Sequence, residues 1–188
     1  MTIYTIGHST RTLEAFTAML AAAQIDCIAD VRRFPRSRRH PQFNAEHLAP
    51  ALAAEGILYR PFAGLGGRRE ARRDGVSPHL LWREAAFRNY ADYAEGVEFR
   101  TAFADLLQLA AVRRVAIMCA EAVWWRCHRR IIADYALAAG AAVEHILDLR
   151  KIEPALLTPG ATIRPDGSLL YGASTESGAG HQLMLDMS

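Results

Sequence analysis

Thirteen residues from Met118 to Arg130, MCAEAVWWRCHRR, hold two cysteines, a carboxylate, a histidine and three arginines. A thiolate is a nucleophile, an imidazole moves protons near neutral pH, and a guanidinium fork grips phosphate oxygens in pairs. Cys119 closes the apolar run RRVAIMC and precedes a helix-like stretch, so a helix dipole and nearby arginines would favour its thiolate. That makes Cys119 a candidate nucleophile, with burial as a small packing residue the alternative. Glu121 and His128 are candidates for acid and base work beside it, and Arg129 for holding an anion. Cys27 sits inside an apolar strand and reads as packing.

Two familiar arrangements fit poorly. The phosphatase-type loop needs an arginine six positions after its cysteine, and position 125 is tryptophan, with Arg126 one residue late. Zinc could be held by Cys119, Glu121, Cys127 and His128, but seven residues separate the cysteines, against about two to four in zinc loops. On a regular helix, adjacent Cys127 and His128 would also project ~100° apart. A metal would need His8 as a further ligand, so no metal and no other cofactor is expected. Trp124 and Trp125 are able to stack on a base or to cap the core, and Arg130 is spaced to pair with Asp134 one turn on.

These groups need elements to position them. TIYTIG (2–7) and IDCIADV (25–31) are β-rich runs, separated by a segment with Leu13, Phe16, Leu20 and Ala23 at helical spacing behind Thr12 as N-cap. A short helix follows over about 44–55, which Pro50 should kink or delay, and then the strand GILYRPF. After the long loop GLGGRREARRDGVSP comes helical material with Phe99, Phe103, Leu106, Leu107 and Ala110 on one arc. RRVAIMC (113–119) reads as a strand covered on both faces, RCHRRIIADYALAAG as a helix stopped by Gly140, and AVEHILDL as a fifth strand. This alternation predicts an α/β fold: a three-layer, Rossmann-like, mostly parallel sheet of about five strands flanked by helices. A single domain over 1–188 is expected, with an α/β core to about residue 150. A hairpin turning at Pro165-Asp166-Gly167 and a mobile tail would follow.

In such sheets ligands bind beyond the carboxyl ends of the strands. The first strand ends at Gly7-His8-Ser9-Thr10, the second at Asp30-Val31-Arg32 and the fourth at Cys119-Ala120-Glu121. With strand order 3-2-1-4-5, those tips are neighbours ~5 Å apart. His8 and Asp30 would then join Cys119, Glu121 and His128 as catalytic candidates. Ser9, Arg32, Arg36, Arg129 and Cys127 would be placed to bind substrate phosphate.

Charge points the same way. From Asp30 to Asp74 ten arginines face five acids, although the 188-residue chain carries a net charge of only +2. An anionic partner suits that surplus. Mean hydropathy is zero, no apolar run approaches the ~18 residues of a membrane helix, and the N-terminus lacks a signal-peptide pattern. No membrane partner is expected, and a cytoplasmic location with reduced cysteines is. The oligomeric state is left open.

Taken together, IGHST, DVRRFPRS with HPQF, GLGG, and MCAE followed by CHR resemble the bacterial and archaeal family called domain of unknown function 488, from about residue 2 to 150. The resemblance implies motif positions at His8, Ser9, Asp30, Arg32, Pro35, Arg36, Cys119, Glu121, Cys127, His128 and Arg129. It implies no agreed reaction, although DNA-repair labels on some members point toward nucleic acid. Two expectations follow. One is an enzyme, a hydrolase or transferase, acting on a nucleotide or nucleic acid at the strand tips. The other is a non-catalytic module that binds nucleic acid through arginine loops 32–39 and 68–73.

Overall fold

In a computed structural model, which describes residues 1–73 and 75–172, the alternating pattern becomes a parallel sheet with helices on both faces. The elements run β1 (Thr2–Gly7), α1 (Leu13–Ala22), β2 (Cys27–Asp30), α2 (Ala45–Ala54) and β3 (Leu58–Pro61). They continue with α3 (Ala85–Ala94), α4 (Val97–Val112), β4 (Val115–Cys119), α5 (Arg129–Ala138), β5 (Ala142–Asp148) and β6 (Lys151–Pro154). The sheet order is β3-β2-β4-β1-β5-β6, parallel except for β6, which pairs antiparallel with β5. A separate two-stranded hairpin, β7 (Ala161–Ile163) and β8 (Leu169–Tyr171), turns through Gly167 at φ 80°.

The fold class is as the alternation predicts, but the order 3-2-1-4-5 is corrected. β4 lies between β2 and β1 rather than outside β1. Its five residues VAIMC are all buried and none is charged, as the centre of a sheet covered on both faces requires. β5, with Glu144 and His145, lies farther out. The correction keeps the tips of β2, β4 and β1 adjacent. β6, KIEP, was not anticipated; its lysine and proline suit an exposed sheet edge.

Alternation along the strands sorts the core into two layers. Val115, Ile117 and Cys119 face one layer together with Phe99, Phe103 and Ile132, whereas Ala116 and Met118 face the other with Phe16, Leu20 and Leu52. Thus α4 and α5 cover one face of the sheet, and α1 and α2 cover the other. Thr12 caps α1 by accepting from the Ala15 N–H. Pro50 does not delay α2, which runs from Ala45 through the proline to Ala54. Among the described residues, no helix is long and apolar enough to cross a membrane. The mobile tail read from the sequence falls on residues 173–188, outside the described ones.

Candidate active site

The adjoining tips of β1, β2 and β4 open into a cavity of about 820 Å³. Its wall carries Arg32, Arg33, Arg36, Arg39, Arg68 and Arg126, against the acids Glu84 and Glu121. Such a cavity is of the size that holds a small ligand. Two of its lining residues, Ser9 and Arg68, hold positive φ angles of 50° and 58° without being glycine. Strained backbone of this kind persists where the surrounding structure over-determines it, commonly at ligand sites.

Strand parity divides the chemistry into two groups. On the α2 side lie His8, Asp30, Arg32 and Tyr59. Asp30, 1 % exposed, accepts from the Arg32 backbone N–H and from its Nε and Nη2, the last at 2.6 Å, and from the Tyr59 hydroxyl at 2.6 Å. Burial, and then the neighbouring Asp30 carboxylate, push the Tyr59 hydroxyl pKa up, so it stays a donor. Arg32 spends its remaining donors on the Phe43 carbonyl at 2.8 Å and on His8 Nε2 at 3.3 Å. His8 donates from Nδ1 to the Ser9 carbonyl, leaving Nε2 as the acceptor for Arg32. Its ring stacks on Phe43, and burial lowers its pKa to about 4. His8 is therefore a neutral, fixed imidazole, and Asp30 anchors Arg32 from beneath the cavity rather than lining it.

The thiols occupy the α5 side. Sequence spacing placed Arg126 to His128 on a regular helix; instead Trp124–Arg126 form a 3-10 turn, Cys127 is extended, and α5 begins only at Arg129, with His128 as N-cap. The extended backbone turns Cys127 Sγ to accept the Arg129 backbone N–H at 3.4 Å. It also brings Cys127 Sγ 2.8 Å from Cys119 Sγ and 3.5 Å from His128 Nδ1. His128 donates from Nε2 to the Val31 carbonyl at 2.9 Å, so Nδ1 is left facing the sulfur. Adjacent Cys127 and His128 thus meet, contrary to the helical projection.

Beneath the thiols, Arg129 is 1 % exposed and donates from Nη2 to the Glu121 carbonyl at 2.6 Å. Among the described residues it makes no ion pair with a carboxylate, and its Nε has no hydrogen-bond partner. A buried guanidinium requires a counter-charge, and the groups positioned to supply it are the sulfurs. Burial pushes the Cys127 thiol up, but the Cys119 hydrogen bond, His128 and Arg129 together bring it well below its usual value. Burial and the Cys127 contact raise Cys119 well above. Of the two sulfurs, Cys127 is the one whose surroundings favour the thiolate.

Close approach of three loops makes this possible. A Cβ on Gly7 would lie 1.9 Å from the Glu121 carbonyl oxygen, one on Gly66 2.7 Å from the Arg33 backbone, and one on Gly67 2.8 Å from His128 Nδ1. Gly66 and Gly67, together with Tyr90 beside the His128 ring, are site residues that sequence reasoning did not assign a role. The signal for the two glycines was the GLGG run itself; Tyr90 carried none.

Of the residues expected to bind or react, the cavity is lined by His8, Ser9, Arg32, Arg36, Cys119, Glu121, Cys127 and His128. Glu121 is exposed at the rim, and its backbone carbonyl receives Arg129. Asp30 and Arg129 lie under the floor. Trp124 stacks on His145 at 4.1 Å, Trp125 is 46 % exposed, and Arg130 donates to the Thr158 hydroxyl. No three of His, Cys, Asp or Glu among the described residues converge to hold a metal.

A family model described as Domain of unknown function DUF488 matches residues 12–136, more than half of the chain. The chain belongs to the DUF488 family. No curated protein and no solved structure matches it. Within this DUF488 chain the matched span holds β2, β4, both loops of the arginine wall and the thiol pair, leaving out β1 with His8 and the strands after α5.

Proposed function

We propose that this DUF488 protein is an enzyme that binds a phosphate-bearing substrate of the nucleotide class at the strand tips and attacks it with Cys127. The observation that carries the reading is a pair of buried sulfurs 2.8 Å apart, set over a buried guanidinium that has no carboxylate partner among the described residues, at the floor of a cavity walled by arginines. Arg36, Arg39, Arg68 and Arg126 are exposed around that cavity and are suited to hold phosphate oxygens. Cys127 Sγ would attack phosphorus, forming an S–P bond as the P–O bond to the leaving group breaks. His128 Nδ1, protonated when it has taken the Cys127 proton, returns it to the leaving oxygen. Water then displaces the cysteine and releases phosphate.

Several arginines of the two loops are engaged internally, which favours a pocket over an open nucleic-acid track. Arg32 is tied to Asp30, Arg33 donates to the Arg68 carbonyl, and Arg69 donates to Gly66 and Ala63 carbonyls while its guanidinium sits 3.6 Å from the Tyr93 ring centroid. The test is turnover of a panel of nucleoside mono-, di- and triphosphates by the full chain. Cys127→Ser and His128→Ala should abolish hydrolysis, and Arg36→Ala with Arg126→Ala should raise KM. Full turnover in Cys127→Ser would overturn the enzyme reading. Oligonucleotide binding that falls steeply with salt and survives Cys127→Ser would favour the binding module instead.

A further inference from the structure

The same two sulfurs carry a second chemistry. We propose that Cys127 and Cys119 form a nucleophilic and resolving pair that reacts with hydroperoxides and closes a reversible intramolecular disulfide, switching the site off. Its effect on turnover rests on Cys127 being the nucleophile of the phosphate reaction, but the disulfide chemistry does not need a phosphate substrate.

Three observations carry it. The sulfurs are 2.8 Å apart, closer than non-bonded sulfur atoms normally sit, and both line the open cavity. An imidazole sits on one sulfur only. Cys127 Sγ accepts the Arg129 N–H and lies 3.5 Å from His128 Nδ1, while Cys119 Sγ accepts the Glu121 N–H at 3.3 Å, and either sulfur can donate across the pair. The segment between them ends in a short 3-10 turn closed by the Cys127 N–H on the Trp124 carbonyl, and Cys127 itself is extended ahead of α5, so the bridge closes a small loop at the start of that helix. A thiolate with an adjacent thiol is the arrangement in which a sulfenic acid is captured as a disulfide before further oxidation.

In the first step Cys127 Sγ attacks the distal oxygen of a hydroperoxide; the S–O bond forms, the O–O bond breaks, and the departing alkoxide takes a proton and leaves as an alcohol. The sulfur is now a sulfenic acid, oxidised by two electrons. Cys119 Sγ attacks it, the S–S bond forms, and the hydroxyl leaves as water with the Cys119 proton. The net change is two thiols and one hydroperoxide to one disulfide, one alcohol and one water. A dithiol reductant reverses it. With the disulfide closed, Arg129 loses its counter-charge and Cys127 its lone pair for attack.

Cys27 supplies an internal control. It is buried in β2, and burial and Asp26 raise its thiol to about 11. The experiment treats the reduced full chain with hydrogen peroxide, then counts free thiols and maps bridges by non-reducing peptide mass spectrometry. The expected result is a fall from three free thiols to one, Cys27, with a Cys119–Cys127 bridge that dithiothreitol reopens. Cys119→Ser should instead accumulate a sulfenic acid on Cys127, trapped by dimedone. Cys127→Ser should slow peroxide consumption at least about tenfold, thiolate being the reactive form. A folded protein that forms no bridge, oxidises Cys27 as readily, or goes directly to irreversible sulfinic acid overturns the proposal. Bridge formation in a chain that turns over no nucleotide removes only the phosphate reading. Turnover with no bridge removes only this one.

Discussion

Arg129 and the sulfurs constrain each other at the scale of single residues. A guanidinium sealed from water with no carboxylate beside it is costly, and a thiolate sealed beside it is equally so; each is tolerable because of the other. Cys127 should therefore alkylate quickly at neutral pH, and the charge on Arg129 should contribute to this beside the Cys119 hydrogen bond and His128. Arg129→Met keeps the side chain's bulk and removes the charge. The pH midpoint of iodoacetamide labelling at Cys127 is expected well below 9 in the parent and higher in the variant than in the parent. Labelling at pH 7 should slow with that rise, because below its midpoint a thiol loses about tenfold in thiolate for every pH unit. Arg129→Lys should restore part of the rate through charge alone, without the fork that holds the Glu121 carbonyl. An unchanged midpoint in Arg129→Met would remove the guanidinium from the account. The sequence placed these residues in one short stretch but favoured Cys119 as nucleophile, because strand-end position was visible. The break in helix at Cys127, which brings its sulfur beside both Cys119 and His128, depends on three-dimensional contacts of the turn.

Elements bring these residues together through two simple rules, one legible and one not. Strand termini were legible because apolar runs end in polar residues, and so were α1 and α5 from their helical spacing. The parity of each strand was also legible: residues two apart share a face, so Cys119 belongs with Ile117 and Val115. Which helices cover that face, and where β4 inserts, are set by packing between distant segments. Close approach is the other rule. Gly7, at the end of β1, lets the Glu121 carbonyl pass where a side chain would stand, and the oxygen that passes is the one Arg129 holds. Gly7→Ala puts a carbon 1.9 Å from backbone oxygen, so the β4–α5 connection must shift. The expected cost is at least about 3 kcal/mol by urea unfolding, overpacking against a rigid neighbour being at the high end of its range, together with slow Cys127 labelling. Gly140→Ala is the comparison. Its φ is 81° but nothing lies near the added carbon, so it should cost only about 1 to 2 kcal/mol and leave labelling unchanged. Equal losses in both variants would show that the β1 end is not a special contact.

Over the whole molecule, the two layers of the core each contain an imidazole kept neutral by burial, and this sets how the fold responds to acid. His8 is stacked on Phe43, with Arg32, Asp30 and His40 near it, and His145 is stacked on Trp124, with its Nδ1 against the Thr5 hydroxyl. Burial lowers each to about 4 from an ordinary 6.5; Arg32 adds to this at His8, and Arg129 does so at His145. In the unfolded chain both take up protons near 6.5, whereas in the folded protein they resist until about 4. Between those values the unfolded state binds more protons, so stability falls as pH falls. The contribution is complete above about pH 6.5, and each histidine removes up to ~1.4 kcal/mol per pH unit on the way down. His79, lowered mainly by burial, acts in the same direction, while Asp134, raised by burial, opposes it. The net expectation is a urea midpoint that holds steady from about pH 8 to 7 and then drops between about pH 6.5 and 4.5, before most carboxylates begin to titrate. His145→Gln should keep a polar group against Thr5 and make that drop shallower than in the parent. A midpoint as high at pH 5 as at pH 7.5 would mean that these imidazoles are solvated enough to charge within the fold, and the packing of His145 under Trp124 would have to be looser than the stacked rings indicate.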